Sequence, residues 1–197
     1  MLYVVTDVLG TLRYEGYSYV DQEFSELTAQ GVPSRPLMVA LNVIPYTLLV
    51  AAFAVGVWTS AGPKRAARIT GAMLLGYAAF GLAGGLIFPM RPREALAAGE
   101  ETLRNVMHIP ATAMMSLFIV LAMGFGATLL GKRFRYYSYG TVATLLVCGA
   151  LASLQAGQMA ANEATPWMGI EERINIYATM LWVAVLGIGL LRAQKAR

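Results

Sequence analysis

The sequence contains a single cysteine, Cys148, and a single histidine, His108. One cysteine excludes an intrachain disulfide, a Cys-based zinc site and C-x-x-C redox chemistry. One histidine gives little to a metal, because zinc sites draw several ligands from His and Cys. Neither a metal nor a cofactor is therefore expected. The patterns G-x-S-x-G, the P-loop and H-E-x-x-H are also missing, and with them the chemistries they serve. These absences weigh against an enzyme without closing the question. Charge is scarce as well: 13% of 197 residues are charged, against about a quarter in a soluble domain. Five apolar stretches, at roughly 37–59, 69–89, 107–131, 138–160 and 174–191, take up nearly all the length. Each approaches the roughly 20 residues that a helical span needs. They are continuous rather than alternating, which excludes a β-barrel.

The connections between the stretches lack acid on one side. Lys64, Arg65, Arg68, Lys132, Arg133, Arg135, Arg192, Lys195 and Arg197 fall together, with no Asp or Glu among them. Glu15, Asp21, Glu23, Glu26, Glu94, Glu100, Glu101, Glu163, Glu171 and Glu172 fall on the other side and outnumber its six arginines. The positive-inside rule makes the first set cytoplasmic and predicts a multi-pass protein of the cell (plasma) membrane with its C-terminus inside. The net charge of +4 then reflects loop anchors facing anionic lipid head groups rather than nucleic acid.

Residues 1–12 read as half a span, since ten helical residues cover only about 15 Å. Either the first helix is short or the start lies inside a longer one. An even number of spans puts both termini inside. The expected fold is thus an all-α integral membrane protein: one domain over 1–197, a six-helix bundle with a short or truncated first helix, and N- and C-termini cytoplasmic. Turns are expected at Gly62-Pro63 and after Phe88-Pro89. Helix three carries Gly81 and Gly85 in a G-x-x-x-G. This small-residue face suits close intrachain packing, with a homo-oligomer as the alternative.

Polar side chains inside a bilayer are expensive and usually face the bundle interior or a cavity. Asp7, Asn42, Tyr46, His108, Gln155, Gln158, Asn175 and Tyr177 all fall in the outer halves of the expected spans. Gln155 and Gln158 are three apart and share a helical face. Together with Glu26, Arg35, Glu172 and Arg173 these residues predict one polar chamber that opens outward under the 13–35 segment. The alternative is a set of solvated groups near the interface. The candidate ligand-binding set is Glu26, Arg35, Asn42, His108, Gln155, Gln158, Glu172 and Arg173. Within it, Arg35 or Arg173 is expected to pair with Glu26 or Glu172. An arginine left free would suit an anionic head group or substrate.

The run Tyr17-Ser-Tyr-Val-Asp-Gln-Glu-Phe-Ser-Glu-Leu-Thr-Ala-Gln-Gly-Val-Pro-Ser-Arg-Pro (17–36) resembles the first outer loop of bacterial and archaeal membrane proteins catalogued as domain of unknown function 998. Thr165-Pro-Trp-Met-Gly-Ile-Glu-Glu-Arg-Ile (165–174) is similar to that family's entry to its last helix. The resemblance covers nearly the whole chain. It implies a compact multi-helix membrane protein with functionally weighted outer loops, and its family-like positions are Ser25, Glu26, Pro33, Arg35, His108, Gly169, Glu172 and Arg173. Ser25 to Pro36 also resembles, over that shorter stretch, the six-helix Frag/DRAM/Sfk-like group. Three functions are compatible with these residues. One is a protein that binds or moves a small molecule or lipid. The second is a lipid-modifying enzyme using His108 with Glu26 or Glu172, and the third is a non-catalytic assembly partner.

Overall fold

The computed structural model describes residues 2–60 and 64–195; the turn expected at Gly62-Pro63 and the last basic residue, Arg197, lie outside them. Among the described residues the regular structure is helical throughout, with no strand. Helix α1 (Leu2–Leu12) is followed by a 3-10 turn (Phe24–Thr28) and by α2 (Arg35–Thr59). Helix α3 (Arg65–Leu86) leads to the short α4 (Arg93–Ala97) and to α5 (Leu103–Gly126). Helix α6 (Lys132–Leu154), the short α7 (Ala156–Ala160) and α8 (Met168–Lys195) complete the order. Five of these, α2, α3, α5, α6 and α8, are long and apolar enough to cross a membrane. At 11 residues, α1 spans only about 16 Å at 1.5 Å per residue, roughly half of a 30 Å hydrocarbon core. The described residues therefore hold five helices of spanning length and one short apolar helix, α1, at the place where a short or truncated first helix was expected.

The helix boundaries shift for identifiable reasons. Helix α6 begins at Lys132 rather than near 138, and α8 at Met168 rather than near 174. A hydropathy boundary excludes charged first-turn residues, yet Lys and Arg are good helix formers. Glu171 in the first turn of α8, and Arg192 and Lys195 in its last, also complement the helix dipole. Helix α5 starts at Leu103 because Thr102 caps it, its hydroxyl accepting the Asn105 N–H at 3.3 Å. Helix α2 contains a π-turn over Val39–Val43, immediately before Pro45. Proline has no N–H and its ring crowds the carbonyl four residues back. A widened turn absorbs both effects.

With lipid as solvent, packing replaces the hydrophobic effect between helices. Glycines on α3 make that packing close. A Cβ on Gly71 would lie 2.8 Å from the Ala54 carbonyl oxygen of α2, and one on Gly76 would lie 2.5 Å from the Phe118 ring of α5. Gly85 abuts Val43, and Gly81 abuts Met115 and Thr47. The G-x-x-x-G face is thus occupied within the chain. Helices α6 and α8 form the second pack, centred on Trp182, which is fully buried and donates its indole N–H to Ser138 Oγ at 2.9 Å. Trp182 also lies against Gly126, where a Cβ would come within 2.8 Å of it, so the same ring ties α5 to α8. Helix α1 packs on the start of α2, where Thr6 Oγ1 accepts from Asn42 of the π-turn and Gly10 lies against Met38.

The loops 13–34, 87–102 and 155–167 gather at the end of the bundle that carries the acidic residues. All the geometry below lies at this acidic end.

Candidate functional site

Two buried ion pairs hold these loops in place. The first joins α1 to α8. Asp7 and Arg173 are 0% and 2% exposed, and the guanidinium grips the carboxylate with two bonds, Nε to Oδ2 at 3.0 Å and Nη2 to Oδ1 at 2.9 Å. Nη1 donates to the carbonyls of Tyr19, Gln22 and Gly169, and Nη2 also donates to the Tyr17 hydroxyl. The Tyr19 ring covers the cation, 3.7 Å from Cζ to the ring centre. Burial pushes the Tyr17 phenol far above its ordinary range, so it stays protonated and donates to the carbonyls of Gln22 and Glu23. One turn before Arg173, Gly169 lets the loop approach: a Cβ there would lie 2.2 Å from the Gln22 carbonyl oxygen.

The second pair joins the three loops. Arg93 Nε and Nη2 donate to Glu26 at 2.8 and 2.6 Å, and Nη1 reaches the Glu163 carbonyl and Thr165 Oγ1. Thr165 in turn donates to the Asp21 carbonyl at 2.6 Å. All five donors of each arginine have partners. A surface cleft of about 360 Å³ lies over this pair and is lined by Ser18, Asp21, Arg93, Glu94 and Asn162 among others, but Arg93 has no donor left to offer a ligand. Beside the pair, burial and the Glu26 charge push the Glu23 carboxyl up to about 7, while the Ser25 hydroxyl and Arg93 act in the opposite direction.

Beneath the loops lies a chamber of about 130 Å³. Its walls are aromatic: Tyr3 of α1, Phe24 of the 3-10 turn, Tyr46 of α2, and Tyr77 and Phe80 of α3. Tyr3 meets Tyr46 edge-on at 5.0 Å, and the hydroxyls of Tyr46 and Tyr77 share a hydrogen bond at 3.2 Å. The polar lining consists of Ser25, Thr28, Asn42, Thr47, His108, Thr112 and Glu172. Asn42, in the π-turn, is 2% exposed. Its Nδ2 donates to Thr6 Oγ1 at 2.8 Å and to the Tyr3 carbonyl at 3.2 Å. A carbonyl only accepts, which fixes the amide orientation, and Asn42 Oδ1 is left with no partner. His108 Nδ1 lies 2.7 Å from the Phe88 carbonyl. A carbonyl only accepts, so Nδ1 carries a proton and donates it to Phe88. Glu172 accepts the Ser25 N–H at 3.2 Å and takes part in none of the three ion pairs among the described residues.

Of the eight residues in the candidate ligand-binding set, three line the chamber: Asn42, His108 and Glu172. Glu26 belongs to the Arg93 pair and Arg173 to the Asp7 pair. Arg35 donates to the carbonyls of Thr28 and Gly85. Neither Arg35 nor Arg173 pairs with Glu26 or Glu172, which corrects that expectation. Gln155 caps α6 and donates to Glu171 at 3.2 Å. Gln158 sits exposed on α7, because α6 ends at Leu154 and the two glutamines no longer share a helix. The sequence alone assigned no role to Arg93, and of the aromatic walls it placed only Tyr46 in the chamber. The only local mark of Arg93 is its place directly after Pro92, at what proves to be a helix start.

The family model described as protein of unknown function (DUF998) matches residues 1–189. The chain belongs to the DUF998 family. No curated protein and no solved structure matches it. With five apolar helices of spanning length, this DUF998 protein is an integral, multi-pass membrane protein. The stretches that carried the resemblance to DUF998, 17–36 and 165–174, are the segments that Arg173, Gly169 and Thr165 bring together.

Proposed function

We propose that this protein binds, or moves, a small molecule or lipid in the chamber at its acidic end, and that this end faces outward from the plasma membrane. The orientation follows from the basic loops at the opposite end. The observation that carries the binding reading is an unsatisfied one. Asn42 Oδ1 is buried without a partner in the lining of a chamber that also holds the carboxyl group of Glu172, which joins none of the ion pairs among the described residues. Buried polar atoms are nearly always bonded, and an orphan at a cavity is an invitation to a ligand or ordered water. The volume is close to the ~150 Å³ of an engineered protein cavity that admits a benzene-sized molecule. A dry, fully packed interior would instead suit a purely structural partner.

Native mass spectrometry of gently extracted protein tests this, comparing wild type with Thr112→Trp. Thr112 lines the chamber yet is solvent- or lipid-accessible, so the larger side chain can fill the space without displacing the core. A discrete bound mass in wild type that is lost in the variant is the expected result. Bare protein in both samples, or the same adduct in both, contradicts the reading.

A further inference from the structure

We infer that the chamber's occupant presents an organic ammonium group, a primary or secondary alkylammonium on a small apolar body, to Glu172 and Asn42. This rests on the binding reading above and adds the chemical class. The unpartnered side chains of the lining include the Tyr3 and Thr112 hydroxyls, which can donate or accept, whereas the buried orphan, Asn42 Oδ1, only accepts. Glu172, in the same lining, accepts the Ser25 N–H at 3.2 Å and joins none of the ion pairs among the described residues. The matching ligand must therefore donate. A cation also supplies the counter-charge that a Glu172 carboxylate needs in a poorly solvated place, which an alcohol cannot do.

The walls agree with the charge. Five aromatic rings, Tyr3, Phe24, Tyr46, Tyr77 and Phe80, surround the space. Aromatic faces attract cations, and cages of such rings are how proteins hold alkylammonium ligands. An anion, by contrast, finds no free donor cation. Arg173 and Arg93 have all their N–H groups in use, and Arg35 is not part of the lining. The expectation of an anionic head group is thereby reversed in sign.

The way in runs along the bilayer. His108, Thr112 and Ser116 are spaced four apart and lie on one face of α5. Thr112 and Ser116 are exposed, and α8 packs along α6 rather than α5 at this level. The ammonium can thus come from a lipid head group or from a free amine, and the chemistry is shared.

Thermal unfolding in maltoside detergent and phosphate buffer, free of other amines, tests the class with three probes: n-hexylammonium, hexanol and hexanoate. Hexylammonium is expected to raise Tm saturably in wild type. Hexanol should need at least tenfold higher concentration, and hexanoate should have no effect. Glu172→Gln should weaken hexylammonium at least tenfold and leave hexanol unchanged. Equal potency of hexanol or hexanoate in the wild type overturns the ammonium class, and that comparison needs no variant to fold. If an effect of hexanol or hexanoate is also abolished by Thr112→Trp, the chamber reading survives and only the class is lost. If no probe shifts Tm and native spectra show bare protein, both fall. Repeating the titration in nanodiscs of phosphatidylethanolamine and of phosphatidylglycerol separates the sources. Occlusion of hexylammonium only by the ethanolamine lipid assigns a head group, and equal binding in both assigns a free amine.

Discussion

Arg173→Met is expected to be among the most damaging single substitutions at the acidic end. The side chain is 2% exposed and its partner Asp7 is fully buried. Replacing Arg173 leaves an unpaired carboxylate inside the protein and strips donors from the carbonyls of Tyr19 and Gln22. Breaking a buried pair from one side costs about 3–5 kcal/mol, because a bare charge remains. For a chain of this size each kcal/mol moves Tm by roughly 2–4 °C, so a fall on the order of 10 °C is expected. Asp7→Leu should cost a similar amount, since it leaves the cation bare. The double variant removes both charges at once and should cost clearly less than the sum, with a coupling of about 2–3 kcal/mol. Equilibrium unfolding in mixed micelles, run as a double-mutant cycle, measures this. The Glu26–Arg93 cycle should behave the same way, whereas cycles of Arg35 with Glu26 or Glu172 should be additive. Additivity for Asp7 and Arg173 within about 0.5 kcal/mol would refute the argument that this pair fastens α1 and the first loop to α8.

Three further outcomes are expected. Gly169→Ala should destabilise by about 1–3 kcal/mol, since the new Cβ meets backbone oxygens that cannot rotate away; limited proteolysis should then cut within 17–23 first. Stability should fall as pH rises from about 4.5 to about 7, because the Glu23 carboxyl is raised from 4.5 to about 7 and the native state holds that proton longer than the unfolded one. The loss is bounded at about 3 kcal/mol by the shift and should be smaller for a half-buried group; Tm against pH for wild type and Glu23→Gln checks it, and the variant should be flat over that window. Finally, in a Cys148→Ser background Gln158→Cys, exposed on α7 at the acidic end, should react with a membrane-impermeant thiol reagent added outside cells; reaction only from the cytoplasmic side would invert the orientation.

The five long helices and the sorting of charge to two ends were legible because lipid demands long apolar helices and the loops carry the topology signal. Long-range pairings were not. Asp7 and Arg173 are 166 positions apart, and nothing local marks which of several acids an arginine will choose. Arg173 and Gly169 drew attention through the family-like loop, yet their partners proved to be the carbonyls of 19–22, which have no side-chain signature. Gln155 and Gln158 illustrate a second limit. Their shared face followed from one continuous helix, and a shift of the helix end to Leu154 dissolved it. Asn42 was found by depth alone. The π-turn that carries it depends on how Pro45 is accommodated, a tertiary outcome rather than a propensity.

The most direct measurement is a high-resolution density map of the protein in a lipid bilayer. The account predicts ordered non-protein density among Asn42, His108 and Glu172, contacting Asn42 Oδ1 and the Glu172 carboxylate and bounded by the tyrosine walls. A chamber collapsed onto its own side chains, with Asn42 Oδ1 bonded to a protein donor and no space between α2, α3 and α8, would contradict it.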